Sequence, residues 1–276
     1  VEENAPIVAA MPYLIRRRKW ATYILMPQQT QIGGIYLSEG MQVNVNEVSE
    51  RIAQELQNLR LSYYFQKYPI GSPIPEAMSS HGFKLSKFVT YRIEDVSDLD
   101  AVVAKFSKNK MRQLTKALTL HADTDFTPEQ FYQFHNHCLT LQKKHITYSR
   151  EFLLVLERKC HRLGQSQIIV IRDGHDNPHA AALLVWDNRS LYYLIPCYDP
   201  TYKDSGAGAL LVLEAIKKAQ TLKLAFDFEG SIIHGVANHY KQFGSTRTNY
   251  YGVERHYRWW FHIVTLWVRV KNFIHQ

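Results

Sequence analysis

The sequence is poor in the features that mark secreted, membrane-spanning and metal-binding proteins. Its 276 residues hold three cysteines, Cys138, Cys160 and Cys197. They are odd in number, widely spaced and in no CxxC pair, which argues against a disulfide framework or a zinc site and for a reducing compartment. All three are expected as small buried hydrophobic residues. No stretch approaches the roughly 20 apolar residues of a membrane-spanning helix, and no secretory leader is legible. The thirteen histidines form no HExxH or related spacing. His135 and His137 lie two apart on a predicted helix, where side chains do not share a face, so no metal is expected. Low-complexity segments and long flexible linkers are missing too.

What is present is an ordinary globular composition, 46% hydrophobic and 21% charged, in a chain long enough for two domains. The formal charge of +8 suits an anionic partner, whether nucleotide phosphates, nucleic acid or an acidic membrane surface, and equally serves solubility. The first residue is Val1 and the chain opens almost inside a strand, so the first domain is expected to lack its beginning.

The second half reads more clearly. Gln167–Arg172, Ala180–Trp186 and Leu191–Ile195 are apolar runs separated by Asp173–Asn177 and Asp187-Asn188, which predicts a three-stranded antiparallel meander. Gly208, Leu211, Val212, Ala215, Ile216 and Ala219 then fall on one helical face. Leu224–Phe228 reads as a buried strand. Ser231 can cap a helix through Val236, Ala237, Tyr240 and Phe243 that Gly244 ends, and Arg247–Glu254 is a last strand.

The first half repeats this order more weakly. Ile7–Ile15 and Trp20–Met26 predict strands, with Arg16-Arg17-Arg18-Lys19 as a charged hairpin tip between them. Val45, Val48, Ile52, Leu56 and Leu59 trace a helical face. Leu61–Phe65, Pro75–His81 and Phe83–Ile93 predict strand, short helix and strand. His81-Gly82-Phe83 and Phe243-Gly244-Ser245 each precede a final strand, which points to a duplicated α/β unit with a mixed sheet. Helical sequence separates the copies at Leu99–Leu118, Pro128–Gln142 and Arg150–Leu163. The expected domains are residues 1–98 and 99–276.

Several features can carry chemistry. In Tyr202-Lys203-Asp204-Ser205-Gly206-Ala207-Gly208 a strand turns into a helix start. Small residues there let backbone N–H groups approach a phosphate, although glycine also serves such turns for steric reasons alone. The turn is neither a P-loop nor a Rossmann fingerprint. Asp227 and Glu229 follow a buried strand and can face one side, as base or amine-binding groups or as partners of the next helix N-terminus. Tyr198 and Tyr240 are candidate acids. Lys105–Lys116 holds five basic residues and no acid. Asn109, Arg112, Gln113 and Lys116 lie along one side of it, as a phosphate-binding face or a solvated one. The run from Arg255 to Phe261 and on through Trp267–Lys271 is aromatic and basic. It suits either an anionic membrane surface or, as the favoured reading, a terminal helix packed on its own domain with buried tryptophans.

The β-β-β-α-β-α-β order with this turn resembles the GNAT acyltransferase superfamily. Phe226-Asp227-Phe228-Glu229-Gly230-Ser231, the helix to Phe243-Gly244 and the basic stretch Ser107–Ala117 resemble its Fem-type branch, which includes peptidoglycan-bridge aminoacyltransferases. The resemblance implies two tandem GNAT-like domains with the acyl donor on the second. It also implies donor pyrophosphate at Lys203, Ser205, Gly206, Ala207 and Gly208, and polarisation of the thioester carbonyl by backbone N–H within Leu194–Tyr198. The expected activity is N-acyl transfer from acyl-CoA, such as acetyl-CoA, to an amine acceptor. Asp227, Glu229, Tyr198 and Tyr240 are then the catalytic candidates, and Asn109, Arg112 and Ser231 the substrate-binding ones. The alternatives are an aminoacyl-tRNA-dependent Fem-type transferase acting on a cell-wall peptide, and a GNAT-like binding protein without catalysis. No long heptad arm of the kind carried by tRNA-dependent bridge enzymes is legible. The first copy illustrates loss of chemistry: Leu37–Val43 has one glycine, and Tyr68-Pro69-Ile70-Gly71 stands where the second has Asp-Phe-Glu-Gly-Ser. The implied location is the cytoplasm, with peripheral contact at the inner face of the membrane through the C-terminal segment.

Overall fold

The computed structural model describes residues 6–38, 42–230 and 234–266. Ser231, Trp267–Lys271 and part of Leu37–Val43 lie outside the described residues. The chain divides into two compact units, residues 1–89 with 249–276, and residues 90–248.

In the first unit β1 (Ala9–Ala10) and β2 (Leu14–Arg18) replace the single strand expected over Ile7–Ile15, because Pro12 cannot donate to a ladder. β2 pairs antiparallel with β3 (Ala21–Leu25). Arg16, Arg17 and Arg18 therefore belong to β2, and the hairpin tip is Lys19-Trp20, a correction to the four-residue charged tip. β4 (Tyr36–Leu37) pairs with β1. α1 (Val45–Asn58) follows, capped by Asn44, whose side chain accepts from the amides of Asn46 and Glu47. β5 (Tyr63–Lys67) lies parallel to β3, and α2 (Ile74–Ser79) leads to β6 (Lys84–Ile93). The core under α1 and α2 is Ile24, Leu56, Tyr64, Ile74, Met78 and Val253.

The second unit begins within β6. α3 (Leu99–Val103) and α4 (Lys108–Lys116) precede β7 (His121–Asp123). The sequence gives no sign of β7, since His-Ala-Asp has no β-branched or aromatic residue. α5 (Pro128–Leu141) and α6 (Arg150–Arg162) follow. The expected meander is β8 (Ser166–Arg172), β9 (Pro178–Trp186) and β10 (Ser190–Tyr198), extended by β7 on the outer side of β8. The 16-residue helix α7 (Ala207–Leu222) buries Leu211, Val212, Ala215, Ile216 and Ala219, the face read from the sequence. β11 (Ala225–Asp227) is parallel to β10 and antiparallel to the end of β6. α8 (His234–Lys241) and the turn at Gly244 lead into β12 (Thr246–His256).

From Asn249 the chain is back in the first unit, where Gly252–His256 pairs antiparallel with β5. Gly82 and Gly244, at φ 80° and 73°, make the same turn before β6 and β12, a conformation that glycine adopts without strain. Residues 261–266 are helical. Phe261 is buried there, but Trp259 is 78% exposed, which corrects the expectation of buried tryptophans. Cys138 and Cys197 are buried, while Cys160 is only half-buried.

Candidate active site

The second unit opens its sheet at one place. β10 runs to Tyr198, but β11 pairs with it only from Ser190 to Tyr192. The register against β9 slips between Tyr192 and Ile195, the sign of a bulge, which bends a strand and re-aims its side chains. Beyond it, the β11-side edge of β10 has no strand partner among the described residues.

The turn into α7 lies at the end of that edge. Its N-cap residue is Gly206 at φ 83°, which supplies no side-chain cap. The amide of Ala207 is taken by Ser205 Oγ at 3.3 Å, while those of Gly206 and Gly208 have no partner among the described residues. Lys203 and Asp204 are exposed, so the turn carries one charge of each sign. The glycines also have steric reasons. A Cβ on Gly206 would lie 2.0 Å from the Gln113 carbonyl oxygen of α4, and one on Gly208 would meet the Tyr198 ring at 3.2 Å. α4 thus closes one side of the turn, leaving Lys203, Ser205 and Gly208 as the approach for an anion.

Asp227 ends β11 and is fully buried. Its Oδ1 accepts from Thr90 Oγ1 at 2.5 Å and from the Glu229 amide at 2.8 Å; its Oδ2 accepts from Arg92 Nη1 at 2.9 Å. Arg92 in turn bonds Glu94 through Nε and Nη2, at 2.7 and 3.0 Å, and Ser190 at 3.0 Å. Burial pushes the Asp227 carboxyl up, against the pull of Thr90 and Arg92. Burial lowers the Arg92 pKa, but hydrogen bonds to Glu94 and the charge of Asp227 outweigh it and raise it. Three donors leave one of its roughly four acceptor sites unbonded, but the carboxylate is fully buried and out of reach of an incoming amine. The expected catalytic part of Asp227 is therefore corrected: it pins the backbone of Glu229 and orients Arg92. Glu229, two residues on, adopts the left-handed φ of 58° with its backbone N–H donating to Asp227 Oδ1.

Tyr240 projects from α8 with its ring stacked on Phe228, 4.6 Å between centroids. Burial and then the charges of Glu229 and Asp227 push its hydroxyl up to about 12. No hydrogen-bond partner is recorded for that hydroxyl among the described residues. Tyr198 is different: its hydroxyl bonds Tyr193 at 2.8 Å, and burial raises its pKa, with a contribution from Tyr240. Glu229, Tyr240 and Tyr198 are thus electrostatic neighbours around the β10 opening.

Asn109 and Arg112 lie on the exposed side of α4, bonded to each other at 3.1 Å, and Asn109 also bonds Gln242 at 3.2 Å. Lys108, Arg112 and Lys116 make an exposed track along α4, the helix whose Gln113 and Ala117 adjoin Gly206. Lys110 leaves this track. It is buried, bonded to Gln113 at 2.9 Å and His239 Nδ1 at 3.2 Å, and lies over the Phe243 ring. Burial lowers it to about 8 and, with the Lys110 charge, lowers His239 to about 4. Sequence reasoning missed Arg92 and Lys110. Arg92 had a signal, a charge two residues from Glu94 within an apolar strand. Gln142, bonded to the Tyr198 carbonyl at 3.4 Å, and His137, 3.3 Å from Asp199, also reach the end of β10. No group of three or more His, Cys, Asp or Glu among the described residues could hold a metal ion.

The profile of the Acetyltransferase (GNAT) domain matches residues 101–242, about half of the chain. The chain belongs to this GNAT family. The matched span runs from within α3 through the turn, α7, β11 and α8, and so includes Lys203–Gly208, Asp227, Glu229 and Tyr240, while Thr90 and Arg92 precede it. The protein is an acyltransferase with tandem GNAT architecture. Among solved structures it is similar to FemX (TM-score 0.67, 11% identity, 91% of this chain and 86% of that chain). It is also similar to L-PGS from Bacillus licheniformis (TM-score 0.58, 10% identity, 93% and 84%). A third is a tandem GNAT protein from the clavulanic acid biosynthesis pathway (TM-score 0.50, 10% identity, 91% and 84%). At these identities the likeness is one of fold. Among curated protein sequences, none matches this chain.

Proposed function

We propose that this GNAT protein is an N-acyltransferase that moves an acyl group from an acyl-CoA thioester to an amine. The observation that carries the reading is the uncapped N-terminus of α7 beside the unpartnered edge of β10. Free amides of Gly206 and Gly208 at the positive end of a 16-residue helix suit a pyrophosphate, with Lys203 and Ser205 at the exposed side and Ala207 lining the turn. An acyl chain entering between β10 and β11 would meet backbone N–H groups of the β10 edge, which suits polarisation of a carbonyl.

The amine nitrogen attacks the carbonyl carbon, the C–S bond breaks, and an amide and a thiol result. Glu229 takes the proton lost by the amine. Tyr240, protonated at neutral pH, gives its proton to the departing thiolate. Tyr198 lines the opening and holds Tyr193.

A second reading, transfer from aminoacyl-tRNA, is favoured by the exposed track of Lys108, Arg112 and Lys116 on α4, the helix whose Gln113 and Ala117 adjoin Gly206. Calorimetric titration with acetyl-CoA, coenzyme A and charged tRNA separates the two. Acetyl-CoA is expected to bind with an affinity that Lys203→Glu lowers about tenfold, the loss of one charge-assisted phosphate contact and the gain of a repulsion. Binding of charged tRNA alone, weakened by Arg112→Glu, selects the second reading. Binding of neither removes both.

A further inference from the structure

We propose that the first unit carries a docking site for a bilayer surface containing anionic phospholipid. The two faces of its sheet differ in kind. α1 and α2 cover one face over Ile24, Tyr64 and Val253. On the other, Tyr23, Leu25, Tyr63, Phe65 and Phe88 surround a cavity of about 380 Å³, a size that holds small organic ligands. Its polar lining consists of the Ser86 and Thr265 side chains and the Trp20 and tyrosine edges, so it offers an apolar chain more than it offers a base or a sugar.

Charge is sorted in the same way. In β2, an edge strand, Arg16 pairs opposite Tyr23 and Arg18 opposite Ala21. Residues opposite each other across an antiparallel pair project to the same face. Arg16 and Arg18, both exposed, therefore flank the cavity. Among the described residues of this unit the acidic side chains are Glu47, Glu50 and Glu55 on α1, Glu76 on α2, and Glu254. Glu254 alone stands on the cavity face, where it is 4% exposed and takes a hydrogen bond of 2.9 Å from Tyr63. The cavity face therefore presents cations to solvent and buries its one carboxylate.

The rim completes the pattern. Trp20, 59% exposed at the hairpin tip, lines the cavity and packs edge-on against Trp260 at 5.7 Å. Trp259, Ile263 and Leu266, on the segment that gives Phe261, Val264 and Thr265 to the cavity lining, are 78%, 64% and 64% exposed. Tryptophan at the edge of an apolar surface, with arginine beside it, is the composition that sits at the headgroup level of a membrane. Lipid phosphates would meet Arg16 and Arg18, Trp20 and Trp259 would enter the headgroup layer, and the cavity would admit an acyl chain. This site is independent of the donor assigned to the second unit.

The test is sedimentation of the full chain with phosphatidylcholine vesicles, with and without phosphatidylglycerol. Binding is expected only when phosphatidylglycerol is present. Arg16→Glu/Arg18→Glu should lower the vesicle affinity roughly tenfold or more, each cation contributing several-fold near an anionic surface. Lys108→Glu/Arg112→Glu in the second unit should leave it unchanged and also controls for nonspecific charge. Brominated acyl chains should quench tryptophan fluorescence, and less so in Trp20→Phe. Equal binding to neutral vesicles, unaltered affinity of the Arg16→Glu/Arg18→Glu protein, or loss through the second-unit variant instead would overturn the proposal. So would preference for a single-stranded RNA over the anionic vesicles.

Discussion

In the first unit β3 leads through residues 26–44 into α1 and on to the parallel strand β5. In the second, β10 leads through residues 199–206 into α7 and on to the parallel strand β11. The longer connection closes the place that the shorter one leaves open. Gly33 N–H bonds the Lys67 carbonyl at 2.8 Å, and Met26 sulfur lies 3.2 Å from the Lys67 amide. Gly34 packs so close to the Tyr68 ring that a Cβ would fall at 2.8 Å. The helix starts differ to the same effect. Asn44 occupies two amides of α1 and Glu47 adds a negative charge to its first turn, whereas α7 has neither. Anion binding at a helix start needs free donors. One unit has spent its donors on capping, and the other has kept two.

The largest effect that would sharpen this contrast is on rate. Tyr240→Phe should lower kcat by roughly 10²–10⁴-fold, the usual contribution of a positioned acid, with unchanged thermal stability. Tyr68→Phe, which removes a buried hydroxyl bonded to Tyr64 at 2.9 Å, should cost about 1 kcal/mol of stability and leave kcat alone. Equal kcat for Tyr240→Phe and the parent would end the role given to that residue. Next comes stability in the open unit: Asp227→Ala strips Arg92 of a buried partner and should cost roughly 3–5 kcal/mol in urea unfolding. A loss below about 1 kcal/mol would mean that Glu94 alone holds Arg92.

A third contrast depends on pH. Burial holds His135 and His239 down at about 4, His239 with added repulsion from Lys110. His135 also bonds the Tyr148 hydroxyl at 2.7 Å. Both are neutral in the folded state and titrate near 6.5 when unfolded, so the stability they support is present above about 6.5 and is lost as pH falls toward 4. Both belong to the second unit. Hydrogen exchange at pH 4 should therefore weaken protection in residues 90–248 before residues 45–89, and simultaneous weakening would contradict the assignment.

The helical period of α7, the turn residues of the meander and the paired glycines before β6 and β12 are local signals, and they gave the duplicated fold. The environment of Asp227 is not local. Thr90 and Arg92 reach it across 137 and 135 residues, and a single sequence cannot tell a free carboxylate from a bonded one. The same limit applies to Gly206. Its place at a helix start reads as a phosphate turn, but the Gln113 carbonyl that also requires a glycine arrives from another helix. Lys110 was counted only among the basic residues of its stretch, because helical spacing alone does not say which side meets α8. Trp259 escaped because aromatic composition predicts burial until the segment's register against Tyr63 and Trp20 is known.

The return of β12 has a consequence for how this protein comes into being. Tyr63–Lys67 pairs on one side with β3 and on the other with Gly252–His256. During synthesis the ribosome makes the whole of residues 90–248 before it releases the strand that completes the first unit. Over that interval β5 is a nascent sheet edge rich in aromatic residues, open to pairing with other chains. The unit translated first is the one that finishes folding last.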